Sequence, residues 1–282
     1  MIMIKKLLGA IALSLTCSVA LASGGGYPLD KAPNRINDMA SLQNGAKLFV
    51  NYCLSCHSAN SMRYNKLTEI GLTDEEIKKN LLFTTDKVGD LMTIAMRRPD
   101  SKKWFGTTPP DLSVIARAKS TNFGPSGVDY IYTFLRTFYR DTSKKTGWDN
   151  ATFPNVDMPN VLWQLQGPQT YSHVSIAEHE GEKGEVWTRT STNFDADGYS
   201  ETKTETLQNY RGHAVSQSSF KNLAGSTGAF DNNVADLSNF LGWMAEPVQL
   251  LRKKIGVWVL LFLGLFLIVA WRLNAAFWKD IK

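Results

Sequence analysis

The chain has 282 residues, 43% hydrophobic and 20% charged. That length suits one or two domains, and the composition excludes a disordered, collagen-like or disulfide-dense protein. The formal charge of +5 belongs to the ends. Lys5, Lys6, Arg252, Lys253, Lys254, Arg272, Lys279 and Lys282 flank two apolar runs; without them and Asp280, 23 basic and 25 acidic residues remain between Leu7 and Leu251. The body is faintly acidic, which excludes a nucleic-acid footprint, since that requires a basic surface.

Residues 1–22 read as a secretory signal. Lys5 and Lys6 precede the short apolar run Leu7–Leu15, and Ala20-Leu21-Ala22 is a small-residue cleavage site. Ser23-Gly24-Gly25-Gly26 follows at once, so the run is too short for a first span. Residues 23–250 are then expected outside the membrane. Next, Ser41 is placed to cap a helix reaching about Tyr52, with Leu42, Ala46, Phe49 and Val50 on one face.

The chemistry lies at the end of that helix. Of three cysteines, Cys17 falls in the signal; the others stand in Cys53-Leu54-Ser55-Cys56-His57. C-x-x-C-H is the attachment signature of c-type haem. Two thiols at this spacing reach the two vinyl groups on one porphyrin edge, and the adjacent imidazole turns under the iron. A thioredoxin-like reading leaves His57 without a role and wants a βαβ setting. A zinc site needs a second ligand pair, whereas His173, His179 and His213 are scattered through a polar stretch.

A sixth ligand comes from the other haem face, and methionine there raises the potential for electron transfer. The candidates are Met62, Met92, Met96, Met158 and Met244. Met62 is too near His57 to cross to the other face. Met92 and Met96, four apart on a helix expected over Asp86–Met96, read as core. Met244 lies close to the second apolar run. Met158 sits in Phe153-Pro154-Asn155-Val156-Asp157-Met158-Pro159, where two prolines stiffen a non-helical loop, and it is the favoured candidate; a methionine in such a loop is otherwise a surface or packing residue.

Further elements follow. Thr73-Asp74-Glu75-Glu76 is a capping box opening a helix to about Leu82. Val128–Tyr139 is helical by pattern, with Ile131, Leu135 and Phe138 on one face. Val186–Thr190 and Tyr199–Leu207 flank the turn Asp195-Ala196-Asp197-Gly198 and predict a β-hairpin. Ile255–Trp271 holds 17 residues without a charge, about 25 Å of helix. Flanking lysines and Trp258 and Trp271 extend it to a membrane anchor over residues 251–272, with a cytoplasmic tail at 273–282.

Several stretches together carry a family resemblance. They are Cys53–His57 with Ser61-Met62-Arg63-Tyr64, Pro109-Pro110-Asp111-Leu112-Ser113 with Arg117-Ala118-Lys119, Val128–Tyr132, the Phe153–Pro159 loop, and Asn239–Pro247 with Arg252-Lys253-Lys254. In this order they resemble the cytochrome c1 family, the haem subunits of the ubiquinol–cytochrome c reductase (cytochrome bc1) complex. The resemblance covers roughly residues 27–170 and 234–278, and residues 171–233 read as a variable surface insertion. It implies a mainly α cytochrome c-type haem domain with long loops, a β-hairpin insertion and one C-terminal transmembrane helix. It implies one haem c held by Cys53 and Cys56, axial ligation by His57 and Met158, and a haem wall at Pro109 and Pro110. Tyr130 and either Arg117 or Lys119 would meet the propionates; the family usually has arginine where this chain has Lys119, a point charge in place of a fork.

The function so implied is electron transfer from a Rieske iron–sulfur protein to a soluble cytochrome c, beside cytochrome b, rather than catalysis by the chain alone. The protein would sit in a bacterial inner membrane, single-pass, with the haem on the periplasmic side. The faintly acidic body would suit a basic cytochrome partner. Two competing readings are an anchored cytochrome c serving a terminal oxidase or dehydrogenase, and a haem peroxidase or sensor with an open sixth position.

Overall fold

A computed structural model describes residues 27–181, 184–225 and 227–279; the expected signal, residues 1–22, lies outside them. Helix α1 spans Met39–Leu48. Its cap is Asp38, whose carboxylate accepts the Ser41 N–H at 3.2 Å, not Ser41 as expected. Ser41 is buried instead and donates its hydroxyl to Asp236. Leu42, Ala46, Phe49 and Val50 form a buried face as the pattern required. The helix does not run regularly to Tyr52. It widens into a π-helical turn at Phe49–Cys53, closed by the Leu54 N–H on the Phe49 carbonyl at 3.0 Å.

Helix α1 crosses a long helix at Thr227–Ala245 near the C-terminus. A Cβ on Gly45 would lie 2.3 Å from the Asp236 carbonyl oxygen, so the two backbones touch where glycine permits it. Phe49 and Phe240 pack beside this contact, ring centres 5.8 Å apart. Asp236 is buried; Arg35 at 2.8 Å matches its charge, and the Asn44 amide donates to its other oxygen at 2.8 Å. Arg136 ties Asp30 at 2.6 Å and Asp231 at 2.7 Å. The segment before α1 is thereby tied to the long helix through Arg35 and, by way of Asp30, to Arg136.

The capping box at Thr73 is present, opening α2 at Asp74–Asn80. The helix expected over Asp86–Met96 is absent. That stretch turns at Lys87–Asp90 and gives strand β2, Leu91–Met92, antiparallel to β1, Ala59–Arg63. Tertiary pairing overrides helical spacing here: the Tyr64 and Asn65 N–H groups bond the Asp90 and Val88 carbonyls at 3.2 and 2.7 Å. Short helix α3 follows at Arg98–Phe105, and a single turn, α4, at Ile115–Ala118.

Helix α5 spans Gly127–Arg136 behind a Ser126/Asp129 capping box. It stops short of Tyr139, because Phe138–Arg140 becomes strand β3, paired with β4, Trp148–Asn150. Ile131, Leu135 and Phe138 are buried as expected, the last from the strand. After helical turn α6, Trp163–Gln166, come four antiparallel strands: β5 Gln169–Gly181, β6 Gly184–Phe194, β7 Ser200–Leu207 and β8 Val215–Asn222, ordered β7-β6-β5-β8.

The expected hairpin exists as β6–β7, but it is half of a larger sheet. A mainly α fold therefore needs correction: helix is 42% and strand 20%. The missed β5 and β8 carry polar residues on both faces, so no alternation marks them. Tyr139, Tyr171, Phe194 and Phe220 root the sheet on the body, Tyr139 and Tyr171 stacking at 4.2 Å. The helix at Thr227–Ala245 is α7. The last, α8, spans Gln249–Phe277 and has no buried residue. Among the described residues it is the helix long and apolar enough to cross a membrane.

Candidate functional site

A cavity of about 480 Å³ lies between the end of the π-helical turn, the inner face of α5, Leu237 and Leu241 of α7, and two loops. One loop runs from Phe105 to Leu112, the other from Phe153 to Val161. The volume is in the range of small-molecule and cofactor sites. Cys53, Cys56, His57, Pro110, Lys119, Tyr130 and Met158 all line it.

The His57 side is built by a clasp. The His57 Nδ1 lies 2.8 Å from the Pro110 carbonyl oxygen. A carbonyl only accepts, so Nδ1 carries the proton and Nε2 keeps its lone pair. Burial pushes the His57 pKa down, against the Pro110 hydrogen bond and the Asp111 charge. The ring is thus suited to be a neutral metal ligand, its other nitrogen already oriented. Pro110 therefore supplies more than a wall: its carbonyl sets the tautomer.

Asp111 holds Pro110 in place. Its carboxylate accepts the Ser58 hydroxyl at 2.9 Å, the Asn60 N–H at 2.7 Å and the Ser113 N–H at 2.9 Å. The Leu112 N–H adds a bond to the Ser58 carbonyl at 2.9 Å. Burial raises the Asp111 pKa, but these bonds outweigh it and leave it below the usual carboxylate value. The chain following His57 is thus stitched to the chain following Pro110.

The two thiols differ. Cys53 is buried, and burial followed by the neighbouring Cys56 pushes its pKa up to about 12. Among the described residues no third metal-ligating His, Cys, Asp or Glu gathers with this pair, as a zinc site would require. Cys56 is partly exposed.

On the far loop, Met158 is, among the described residues, the one methionine that lines the cavity. Met62, Met92 and Met244 are buried in the core, and Met96 stands apart from the cavity. Asn150, fully buried at the end of β4, starts the loop. Its Oδ1 accepts the Thr152 and Phe153 N–H groups at 2.9 and 3.0 Å, while its Nδ2 donates to the Phe134 carbonyl at 2.7 Å.

Arg117 and Lys119 part company. Lys119 lines the cavity, its ammonium 4.7 Å from the centre of the Tyr130 ring and 5.9 Å from that of Phe153. Arg117 is not among the lining residues; its charge acts on Glu246. Residues two apart on a helical turn point about 200° apart, so one turn cannot aim both at one cavity.

The donor set fits a c-type haem: two thiols at one edge, an imidazole with a free Nε2, a thioether and otherwise largely apolar walls. Comparison with known proteins agrees. The Cytochrome C1 family matches residues 31–173 and 212–281. The chain is 38% identical to a cytochrome c1 of Allochromatium vinosum, covering 98% of this chain and 99% of that one. The chain belongs to the cytochrome c1 family. It is also 41% identical to a protein named ammonia monooxygenase gamma subunit in Nitrosomonas europaea, over 99% of each chain. A cytochrome c1 of Rhodospirillum rubrum is 25% identical over 87% of this chain and 83% of that one.

Cytochrome c1 is a haem electron-transfer subunit of the bc1 complex, and membership implies a c-type haem. The family match omits residues 174–211, which hold β6 and β7, whereas the first two relatives align over nearly the whole chain. The alignments to these two relatives thus run through the stretch expected as a variable insertion. Sequence reasoning missed Asp111 as a clasp. The Asp-x-Ser spacing after two prolines was its available signal. It also missed Phe134, Leu237 and Leu241, which resemble ordinary core residues on helical faces.

Proposed function

We propose that this cytochrome c1 carries one haem c, attached through thioethers from Cys53 and Cys56 and ligated by His57 and Met158, and that it relays electrons from a Rieske protein to a soluble cytochrome c. The observation that carries the reading is the convergence of the oriented His57 and of Met158, alone among the described methionines, on one cavity. Bound haem supplies one-electron chemistry, at a potential raised by Met/His ligation. The chain's own residues hold the His57 tautomer, fix the Met158 loop and exclude water with aromatic and aliphatic walls. Lys119, rather than Arg117, meets the propionates beside Tyr130.

The organisation proposed with it is a signal at 1–22, a periplasmic haem domain at 23–250, an inner-membrane span at 251–272 and a cytoplasmic tail at 273–282. The span lies within α8, whose apolar side chains are exposed on all sides.

The test is purification from solubilised membranes. A di-haem cytochrome b and a Rieske protein should copurify, with a haem-staining band at the size of this chain on a denaturing gel. The reduced spectrum should be low-spin and insensitive to carbon monoxide. Ready carbon monoxide binding would favour a peroxidase or sensor instead. Copurification with an ammonia monooxygenase, the assembly in the name of the Nitrosomonas relative, would reassign the partner while leaving the haem site intact.

A further inference from the structure

Asp149 has no part in the site as described: it does not line the cavity. It is nevertheless a charged residue with 3% exposure, which demands a set of partners. Its Oδ1 accepts the Asn155 N–H at 2.7 Å and the Val156 N–H at 3.4 Å, besides that of its neighbour Asn150 at 2.8 Å. Its Oδ2 pairs with Lys144 at 3.1 Å. Lys144 in turn donates to the Asn155 side chain at 2.5 Å.

Asn155 and Val156 both line the cavity, and Met158 follows two residues later. Asn155 takes a left-handed backbone, φ +62°, a conformation that asparagine adopts more readily than most non-glycine residues. The same Asp149–Lys144 pair contacts that residue through both its backbone and its side chain.

We infer that Asp149 is the positioning residue for Met158: one buried oxygen pins the two backbone N–H groups that aim the loop at the cavity, and Lys144 neutralises the charge this requires. The inference rests on Met158 being the sixth ligand. An aspartate serving only the β3–β4 hairpin would bond within the hairpin. Here two of the three backbone N–H groups on Oδ1 belong to the loop. Asn150 fastens the start of the loop, and Asp149 fastens the half that leads into Met158.

The test compares Asp149→Ala, Asp149→Asn and Met158→Leu in the full-length protein purified in detergent. The readouts are the sulfur-to-iron charge-transfer absorption of the ferric form, carbon monoxide binding to the ferrous form, the midpoint potential and haem stain. Asp149→Ala should keep the covalent haem band yet raise the population with Met158 detached about tenfold, the factor for losing a hydrogen bond to a charged acceptor. It should therefore weaken the sulfur absorption, admit carbon monoxide and lower the potential. Asp149→Asn retains an acceptor oxygen and should restore part of each signal.

If Asp149→Ala leaves all three spectroscopic and redox signals at wild type while Met158→Leu changes them, the inference is overturned. If Met158→Leu is itself silent, the ligand assignment fails and the inference falls with it. Should Asp149→Ala not accumulate, Asp149→Asn decides: a smaller shift in the same direction supports the inference, and no shift overturns it.

Discussion

Replacing Asp111 by alanine tests whether the clasp beside His57 is an energetic feature or a passive turn. The substitution strands three donors, Ser58 Oγ, Asn60 N and Ser113 N. A hydrogen bond to a charged group is worth about 1.5–3 kcal/mol when fully formed away from water. Asp111 is only partly buried, so water replaces much of each bond, and about 2–3 kcal/mol is expected for the set. For a chain of this size that lowers the thermal midpoint by about 4–12 °C. The assay is thermal unfolding of the detergent-solubilised haem protein, followed through haem absorption. The pH dependence has a definite sign. The folded-state pKa of Asp111 is depressed, so its contribution is complete above the ordinary aspartate pKa of about 3.9 and is lost as pH falls through the lower folded value. Wild type and Asp111→Ala should differ by a constant amount near neutral pH and converge in acid below about pH 4. Asp111→Asn has one acceptor oxygen where three donors converge, so it should fall between them at neutral pH. Equal midpoints for wild type and Asp111→Ala at pH 7 would refute the reasoning.

Cys53→Ala with Cys56→Ala should abolish the haem-staining band on a denaturing gel; an unchanged band would refute thioether attachment. Met158→Leu nearly conserves volume and should cost less than about 1.5 kcal/mol in stability, yet it should lower the midpoint potential and open the iron to carbon monoxide, while Met92→Leu and Met96→Leu leave both unchanged. Truncation after Glu246 removes a helix with no buried residue, so a soluble haem-bearing domain should appear in the periplasmic fraction; tight membrane retention after a high-salt wash would contradict this. Gly45→Leu would drive a side chain into the Asp236 backbone, and its cost should exceed about 3 kcal/mol, read as failure of haem protein to accumulate in membranes.

The parts legible in the sequence are those whose signal is local. Cys53, Cys56 and His57 fall within five consecutive residues, and their chemistry follows from spacing alone. The Thr73 capping box, the β6–β7 turn and the charge-free run at Ile255–Trp271 are local in the same sense. Where the signal was local but the decision was not, reading failed. Met92 and Met96 kept helical spacing, yet β1 offered their segment an extended partner, and sheet pairing prevailed. Ser41 looked like a cap, but Asp38 took that role and the Ser41 hydroxyl went to Asp236, 195 residues away.

Sequence by itself determined the kind of chemistry: a haem attachment motif, a short list of methionines and an apolar helix beyond them. Only the tertiary structure decided which of those residues meet. Met158, Lys119 and Pro110 line one cavity, whereas Arg117 turns away from it, and Asp111 and Asp149 acquire work that no motif announces. Motifs report bonding within a few residues. Which face of a turn looks into a cavity, and which buried carboxylate finds distant N–H donors, depends on how separate segments pack. Backbone contacts as close as that at Gly45 fix this packing, and they link residues far apart in the chain.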